Sequence, residues 1–519
     1  MSVRIVTARW VVTGISGDGE IQMIDDAAIA FEDGVIRAVA PKAEIVAAFP
    51  DSRVEEYSHH LIMPGLINAH HHVGLTPLQL GAPDSPLELW FAARLAIRKV
   101  DPYLDTLYSA FEMISSGVTT VQHIQGWAMS GLEGVIGSAT RVLDAYDDIG
   151  MRVSYCYGVR EQNRFVYEDD AAFCDRLPPE TGKAMAAHLQ RLTMPFEDFL
   201  TLFDHLTETK TSRRARVQLA PANLHWMTDD GLLALQEKSV AANVPMHIHL
   251  LETAYQKEYA YRRTGTTAVR HLEKLGMLGP HMTIGHGVWM TEEDIEICAG
   301  TGTCICHNCS SNLRLRSGAL PLMELVNRGM TVGMGIDEAG INDDRDMLQE
   351  MRMVLNLHRI PGVDPSDVPS AGDVVRMATE HGARTTAFGT EIGRLEPGCR
   401  MDAVILDYDK ATYPYQDPDI TPMVALIHRA KSKDVDTVII EGEVVYQNGR
   451  FTRVDRDAIL AQIAEALAAP RDADELHRHE LREAVFPTVR AFYDEYLQIH
   501  CRPDTLLQRV IPPITPVRH

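Results

Sequence analysis

The sequence is poor in cysteine and has no long apolar run. Eight cysteines among 519 residues, scattered except for one group, do not make a disulfide framework. No uninterrupted apolar run approaches the roughly 18 residues of a membrane span. The N-terminal stretch also lacks the apolar segment and the small-residue cleavage site of a secretory signal. We therefore expect a cytoplasmic protein with no membrane partner.

Positive charge is also scarce. The chain has 49 lysines and arginines against 72 aspartates and glutamates, which gives a formal net charge of −23. So acidic a chain is unsuited to nucleic-acid phosphates, and we expect no nucleic-acid partner. Hydrophobic residues make up 45% and charged residues 23%, values that exclude a disordered polymer. The composition describes a large globular chain, so its function has to be inferred from motifs.

Short strands punctuated by turns occupy both ends of the chain. Residues 1–60 alternate apolar and polar positions around an Asp33-Gly34 turn, and residues 385–456 repeat this texture around an Asn448-Gly449 turn. Asp-Gly and Asn-Gly between alternating runs are hairpin signals. We predict that both chain ends form one β-rich domain. Residues 457–519, with helices at 457–468 and 473–499, form a C-terminal extension for packing or assembly.

The middle of the chain, residues 61–384, alternates short apolar runs with amphipathic helical stretches. Runs of this kind indicate buried parallel strands. They lie at 61–63, 118–121, 152–155, 217–220, 244–247, 282–285, 303–306 and 331–334. Eight such runs predict an α/β fold of the (β/α)8 type, with its chemistry at the C-terminal ends of the strands. The stretch 161–214 is too long for a simple connection, so we expect a lid or a subunit contact there.

Histidines and one aspartate follow several of these runs. The first run leads to His70 and His72, which share a face because positions i and i+2 of an extended segment do so. Later runs end in His247 and His249, His286, His307, and Asp337. Imidazoles with one carboxylate suit a catalytic Zn2+ or Fe2+ ion. Spacing alone leaves both His247 and His249 open as ligands, because they lie on the same face.

The segment Cys304-Ile305-Cys306-His307-Asn308-Cys309 permits a different interpretation, because thiolates bind zinc and iron–sulfur clusters. However, Cys304 and Cys306 belong to an apolar run whose alternation suits a barrel strand. No second cysteine cluster completes a set of four ligands. We therefore favour the histidine site.

The chain carries five motifs in a fixed order. They are Met63 to His72, His249 to Thr253, His286 to Trp289, His307 to Leu315, and Gly335 to Asp337. This ordered set resembles the amidohydrolase superfamily, in its branch of cytosine-deaminase-like enzymes and triazine hydrolases, including atrazine chlorohydrolase and hydroxyatrazine aminohydrolase. The stretch from Gly393 to Val404 is similar to the family's return into its β-sandwich. The resemblance covers nearly the whole chain.

This resemblance implies a TIM-type barrel beside a urease-like composite β-sandwich built from both chain ends. It implies one divalent metal per chain, with Zn2+ favoured over Fe2+, because residues 216–225 lack the lysine that bridges two metals in relatives. The implied metal ligands are His70, His72, His249 and Asp337. The implied catalytic groups around an activated water are Glu252, His286 and Asp337.

Side chains at other strand ends and in loops are candidates for substrate contact. Trp90 can stack on a flat ring, and Arg160 can pair with a carboxylate or a carbonyl. The full set of candidates is Trp90, His123, Arg160, Gln162, His225, Asn312 and Glu338. Glu338 stands where the resemblance leads us to expect a small residue in many deaminases, so a familiar deaminase substrate is not implied.

We predict a hydrolase that cleaves a C–N bond of a small molecule, by deamination or dealkylamination of an amino-substituted nitrogen heterocycle. The alternative on the same scaffold is an amide, urea or carbamate hydrolase, or a dehalogenating hydrolase. Glu252 favours a leaving group that needs a proton, which chloride does not. A non-catalytic, metal-stabilised scaffold is a third and remote alternative, because a structural metal has no use for Glu252. We expect a homodimer or a larger homo-oligomer.

Overall fold

The structure is a computed structural model that describes residues 3–126 and 131–497. Its strands are β1 (Arg4–Ile15), β2 (Ile21–Glu32), β3 (Val35–Pro41), β4 (Arg53–Pro64), β5 (Leu66–His71), β6 (Val118–Gln125), β7 (Arg152–Val159), β8 (Ala215–Val217), β9 (Ala220–Pro221), β10 (Met246–Leu250), β11 (Met282–His286), β12 (Cys304–His307), β13 (Val332–Met334), β14 (Ala403–Asp407), β15 (Val435–Ile440), β16 (Glu443–Gln447) and β17 (Arg450–Phe451).

Helices connect most of these strands. The α-helices are α1 (Lys42–Ala48), α2 (Leu87–Ala93), α3 (Pro102–Ser115), α4 (Gly131–Ile149), α5 (Asp170–Asp175), α6 (Pro179–Arg191), α7 (Phe196–Lys210), α8 (Asp229–Ala242), α9 (Ala254–Thr264), α10 (Ala268–Lys274), α11 (Glu292–Thr301), α12 (Cys309–Arg314), α13 (Leu322–Val326), α14 (Met347–Leu357), α15 (Ala371–Arg376), α16 (Gly382–Arg384), α17 (Tyr408–Thr412), α18 (Pro422–Arg429), α19 (Arg456–Ala468) and α20 (Ala473–Asp494). A 3-10 turn, Arg94–Ala96, continues α2. None of the described helices combines the length and the apolar character that a membrane crossing needs.

A parallel barrel occupies the middle of the chain. Strands β5 to β8 pair in order, and so do β10 to β13. Strand β9 pairs with β7, and bridges at Leu219 and Asn223 connect this part of the chain to β10. A bridge between His71 and Asp337 closes the ring. The described residues therefore form a closed barrel of parallel strands with helices between them, which confirms the predicted α/β barrel.

The first barrel run was assigned wrongly from the sequence. Residues 61–63 belong to β4 and pair with β14 in another sheet, whereas the barrel begins with β5. Gly65 separates the two strands, and a Cβ atom there would lie 2.2 Å from the Thr119 side chain. Only glycine allows this close approach. A run of apolar residues does not reveal such a change of sheet, because both strands are buried.

Both chain ends meet in a second sheet. Its strand order is β17-β16-β15-β14-β4-β1-β2-β3, in which β1 and β4 are parallel and the other neighbours are antiparallel. The pairing of β4 with β14 joins the N-terminal strands to the C-terminal ones. The hydrogen bonds thus define one mixed sheet. The composite sandwich, in which a second sheet would stack on this one, stays a prediction. The predicted domain boundaries also stay predictions.

The predicted insertion and C-terminal extension are both helical. Residues 161–214 contain α5, α6 and α7, and the C-terminal part contains α19 and α20. Helix α20 packs against α2, its 3-10 turn and α6. Arg98 fixes this contact by donating to Glu475 Oε1 at 3.1 Å. The end of the extension, residues 498–519, lies outside the described residues.

Candidate metal centre and catalytic cavity

Three histidines and one aspartate converge at the C-terminal end of the barrel. His70 lies near the end of β5, His72 follows that strand, and His249 lies in β10. The Nε2 atoms of His70 and His72 are 3.1 Å apart, and those of His72 and His249 are 3.0 Å apart. Asp337 follows β13, and its Oδ1 lies 3.3 Å from His72 Nε2 and 3.6 Å from His70 Nε2. This spacing fits ligands around a single ion, since zinc binds nitrogen and oxygen at about 2.0 to 2.2 Å.

The outer ring nitrogens explain how these histidines are oriented. His72 Nδ1 lies 2.7 Å from the carbonyl oxygen of Ile124, and His249 Nδ1 lies 2.8 Å from that of Ala222. A carbonyl only accepts, so each Nδ1 carries the proton and each Nε2 presents a lone pair. Two lone pairs facing each other at 3.0 Å repel one another unless a cation lies between them. The residues present therefore fit a divalent metal ion.

The structure separates His249 from His247. His247 Nε2 lies 2.8 Å from the Nδ1 of His70, on the side away from His72. His249 instead faces His72. A partner on the outer nitrogen of a ligand histidine fixes its ring and its tautomer. His247 therefore has the position of a residue that orients His70, and His249 that of a ligand.

Burial keeps these imidazoles neutral. Desolvation is the main cause that lowers the pKa of His70, His72 and His249 well below the ordinary histidine value. For His70, the neighbouring imidazoles of His249 and His247 lower the pKa further. A neutral imidazole is the form that binds a metal. Burial therefore keeps the three imidazoles in the form that can bind a metal ion.

His247→Ala is expected to weaken metal binding by about 10-fold to 100-fold while the bound ion still occupies the same site. The reason is that the variant loses the group that orients His70 and retains every residue that faces the centre. Competition with a chromogenic zinc chelator measures the affinity. Complete loss of zinc at stoichiometric concentrations would contradict this role for His247.

Glu252 and His286 lie beside the four candidate ligands. His286 Nε2 is 3.6 Å from Glu252 Oε2 and 3.9 Å from Asp337 Oδ2. On its other side, His286 Nδ1 lies 2.9 Å from Asn312 Oδ1. The Ser311 hydroxyl donates to Asp337 Oδ2 at 2.6 Å. Groups that can accept and donate protons thus surround one point next to the candidate metal centre.

The Glu252 carboxyl is almost completely buried. Burial is the first cause that raises its pKa well above the ordinary value, and the nearby carboxylates of Asp337 and Glu88 raise it further. The Ser317 hydroxyl, 3.4 Å from Oε1, donates to it and opposes this shift in part. This direction favours the protonated carboxyl, which is the form that can protonate a leaving amine.

Two of these residues have an unusual backbone conformation. His286 has a φ of 74° and Asp337 a φ of 61°. Residues other than glycine rarely adopt this left-handed backbone conformation, and those that do cluster at active sites. The Asp337 amide donates to the His70 carbonyl at 2.8 Å, which ties its backbone to β5. The fold thus holds both side chains in fixed directions at the ends of their strands.

A cavity opens beside this group and includes three of the predicted substrate residues, Trp90, Arg160 and Glu338. The cavity is also lined by Phe91, Arg94, Asn223, Trp226 and Gln256, which are not among the predicted substrate residues. The Arg160 guanidinium lies 3.9 Å from the centroid of the Trp226 ring. Arg94 forms an ion pair with Glu338. The cavity therefore combines aromatic walls with charged groups close to the catalytic residues.

The other four predicted substrate residues do not line this cavity. The Nδ1 atom of His123 lies 2.9 Å from the Tyr146 hydroxyl. Gln162 donates to the Met227 carbonyl at 3.1 Å, and the His225 ring lies 4.3 Å from that of Tyr167. Asn312 contacts His286, as described above. Their placement supports structural and positioning roles, and it does not support direct contact with a substrate.

The cysteine-containing segment forms a separate buried group. His307 Nε2 lies 3.0 Å from His358 Nε2, and the Cys309 thiol lies within 4.8 Å of both rings. Cys304 and Cys306 are buried in β12. Among the described residues, a single cysteine joins this group. The structure therefore offers no set of thiolates for an iron–sulfur cluster here.

Comparisons with known proteins define the class to which this barrel and site belong. A family model described as the amidohydrolase family matches residues 61–445. The chain belongs to this family, which confirms the resemblance seen in the motifs.

Curated relatives share most of the chain. A 5-methylthioadenosine/S-adenosylhomocysteine deaminase from Nitratidesulfovibrio vulgaris (strain DSM 19637 / Miyazaki F) is 30% identical over 469 residues, which cover 89% of this chain and 96% of that protein. A 5'-deoxyadenosine deaminase from Methanosarcina barkeri (strain Fusaro / DSM 804) is 27% identical over 467 residues, covering 89% of this chain and 97% of that protein.

Solved structures share the fold. An adenosine deaminase from Xanthomonas campestris with bound zinc has a TM-score of 0.73 at 24% identity, covering 89% of this chain and 97% of that one. A triazine hydrolase from Arthrobacter aurescens has a TM-score of 0.76 at 21% identity, covering 90% of this chain and 100% of that one. At these identities the likeness shows the fold.

Proposed function

We propose that this protein is a metal-dependent aminohydrolase that replaces an amino group of a planar nitrogen heterocycle with oxygen. One observation carries the proposal, namely that Glu252 and His286 line the same cavity as His72, His249 and Asp337. A ligand set, a buried acid and a polar histidine in one cavity are what hydrolytic deamination requires. The curated relatives described above are named as deaminases of adenosine derivatives, which supports the same reaction class.

We infer one divalent metal per chain, held by His70, His72, His249 and Asp337, with Zn2+ as the first choice and Fe2+ as the second. We expect a chelator to abolish activity and one equivalent of zinc to restore it, because the four proposed donors converge on a single point. Elemental analysis after gel filtration gives the ratio of metal to chain. Two equivalents in the fully active protein, or full activity after removal of all metal, would contradict this expectation.

The chain's own residues have distinct tasks in this proposal. A divalent metal held by His70, His72, His249 and Asp337 would lower the pKa of a bound water toward about 7 and so make hydroxide available at neutral pH. Asp337 takes the proton of the attacking water, with Oδ2 held by the Ser311 hydroxyl. His286, whose Nδ1 faces Asn312, orients the water through Nε2. Glu252 then donates its proton to the leaving amine.

The walls of the cavity favour an adenine derivative or a similar flat ring. Trp90, Phe91 and Trp226 offer aromatic surfaces for stacking. Asn223 and Glu338 offer polar groups for the edge of a ring or for a sugar. We propose 5'-modified adenosines as the first class of substrate.

A substrate panel tests this function. Zinc-loaded protein is incubated with adenosine, 5'-methylthioadenosine, an amino-triazine, a chloro-triazine, a carbamate and a simple amide, and the release of ammonia, amine or chloride is measured. We expect ammonia from an adenosine derivative or an amino-triazine. Turnover confined to the carbamate and the amide, or to the chloro-triazine, would show that the proposed bond class is wrong.

Arg160→Gln is expected to lower kcat/KM by roughly 10-fold and to leave the metal content unchanged, because the variant loses a cation from the cavity wall and keeps the ligands. Steady-state kinetics with elemental analysis measure both quantities. Arg164→Gln is the matched control, since Arg164 pairs with Asp170 outside the cavity lining. Equal effects of the two variants would remove Arg160 from substrate binding.

Three further features belong to the proposal. We propose the predicted division into a β-rich domain, a barrel and an extension from residue 457. Its first boundary moves from residue 61 to Gly65, because residues 61–63 belong to β4. The β-rich domain is proposed to form a composite sandwich. We also propose a homodimer or a larger homo-oligomer, for which analytical ultracentrifugation is the test. A cytoplasmic location agrees with the metabolic activity proposed here.

A further inference from the structure

A second cavity adjoins the catalytic one. It lies where the end of α2 and its 3-10 turn meet α6 and α20, and its apolar walls include Leu95, Ile97, Phe165 and Leu192. The proposed deamination makes no use of this space. The polar groups at its edge therefore indicate what it can bind.

Arg478 of α20 brings an unused hydrogen-bond donor to this second cavity. Its side chain is only 7% exposed. Nε donates to Asp474 Oδ2 at 3.0 Å, and Nη1 donates to the carbonyls of Leu95 and Ile97 at 2.8 Å and 3.0 Å. Nη2 is buried and has no hydrogen-bond partner within the described residues. A buried donor on a charged group is costly to leave unpaired, and an anionic ligand would satisfy it.

His188 adds a neutral donor. The Arg191 guanidinium donates to His188 Nδ1 at 3.3 Å, which leaves the ring proton on Nε2. Burial, with the charges of Arg191 and Arg478, lowers the His188 pKa to about 4, so that the ring is neutral at physiological pH. His188 and Arg478 both line the second cavity. Two donors from different helices thus meet at its edge.

The described residues that line the second cavity include cations and no carboxylate. Asp474, the counter-ion of Arg478, also pairs with Arg191 at 2.9 Å and with Lys99 at 3.0 Å. Lys99 has a second partner in Asp472 at 3.3 Å, whereas Arg478 and Arg191 share Asp474, which leaves Arg478 only partly neutralised. The cavity is therefore suited to a molecule with an apolar body and a negative end.

The two cavities share a wall, because Phe91 and Arg94 line both. Arg94 pairs with Glu338, which directly follows the candidate ligand Asp337. Its guanidinium also lies 4.6 Å from the centroid of the Trp90 ring. Arg94 is therefore the side chain through which a ligand in the second cavity would reach the groups that face the substrate. A ligand that shifts this shared wall would change the affinity of the other cavity for its own ligand.

We propose that the second cavity binds a small amphipathic carboxylate, whose carboxylate pairs with Arg478 and whose apolar body packs against Leu95, Ile97 and Phe165. Two sources share this chemistry, namely the distal end of an elongated substrate and a separate small molecule. The binding site goes beyond the proposed function and does not depend on it, because binding can be measured without turnover.

Calorimetric titration of the full-length, zinc-loaded protein with 4-phenylbutyrate and with the neutral 4-phenylbutanol tests this site. We expect the acid to bind more tightly than the alcohol by on the order of 10-fold, and Arg478→Gln to remove the difference. Arg482→Gln is the matched control, because Arg482 lies one turn further along α20 and outside the lining. Absence of binding, equal affinity for acid and alcohol, or unchanged acid affinity in Arg478→Gln would overturn the proposal.

A second variant keeps Arg478 and fills the space instead. Leu192→Trp is expected to weaken acid binding by at least about 10-fold, and retained affinity in this variant would overturn the proposal even if Arg478→Gln fails to fold. Steady-state kinetics then identify the source. If the acid inhibits competitively against an elongated substrate but not against a truncated one, the second cavity binds the distal end of the substrate. A change in kcat supports a separate ligand.

Discussion

His249→Ala is expected to lose the bound metal and to lower kcat/KM by on the order of 10³-fold or more. His249 Nε2 lies 3.0 Å from that of His72, and its Nδ1 is held by the Ala222 carbonyl, so its lone pair is directed at the centre. Removing it leaves an incomplete ligand set and no source of hydroxide at neutral pH. Zinc per chain by elemental analysis, together with the rate of ammonia release, measures both effects.

His247→Ala is the matched control, because the two histidines lie two residues apart on β10. We expect this variant to bind zinc at a stoichiometric concentration, with lower affinity. The opposite pattern, with zinc retained in His249→Ala and lost in His247→Ala, would show that the two histidines have exchanged roles.

Glu252→Gln is expected to keep the metal and to lower kcat by roughly 10²-fold or more. The amide preserves the shape of the side chain and cannot deliver a proton to the leaving amine. In the proposed mechanism Glu252 lies outside the four metal ligands, with its Oε2 3.6 Å from His286 Nε2. Single-turnover kinetics with a substrate identified by the panel measure the chemical step directly. Near-normal turnover would remove Glu252 from the mechanism.

Glu88→Gln is the control for burial of a carboxyl group. Burial also raises the pKa of Glu88, to about 7, yet Glu88 accepts hydrogen bonds from Thr253 and Tyr167 and does not line the cavity. We expect its effect on kcat to be below about 10-fold, because the glutamine oxygen still accepts from these hydroxyls. If Glu88→Gln lowers kcat as much as Glu252→Gln does, the loss comes from removing any buried carboxyl in this region and is not specific to Glu252.

The barrel and the candidate ligands were predictable from the sequence because both depend on local patterns. Buried parallel strands are short apolar runs, and residues at their C-terminal ends meet at one edge of the barrel. The pair His70 and His72 follows from the two-residue period of a strand. Spacing alone left both His247 and His249 open, and the family resemblance implied His249. In the structure His249 faces His72, whereas His247 faces the outer nitrogen of His70.

The substrate side was predicted less well, because it depends on contacts between distant segments. Arg94 and Phe91 lie in α2 and its 3-10 turn, far in sequence from any strand end, and they meet the cavity only because the barrel places this segment over it. His123 and Gln162 stand near strand ends and yet contact Tyr146 and Met227. Position near a strand end indicates candidate ligands, whereas the cavity walls depend on tertiary packing.

Hydrolysis of 5'-methylthioadenosine in water enriched in oxygen-18, with and without zinc, tests directly whether a metal-activated water replaces the amino group. We expect a product in which one labelled oxygen replaces the exocyclic amino group, together with an equal amount of ammonia, and only with the zinc-loaded protein. Equal turnover by the metal-free protein, or a product with no labelled oxygen, would contradict an activated water at this metal centre.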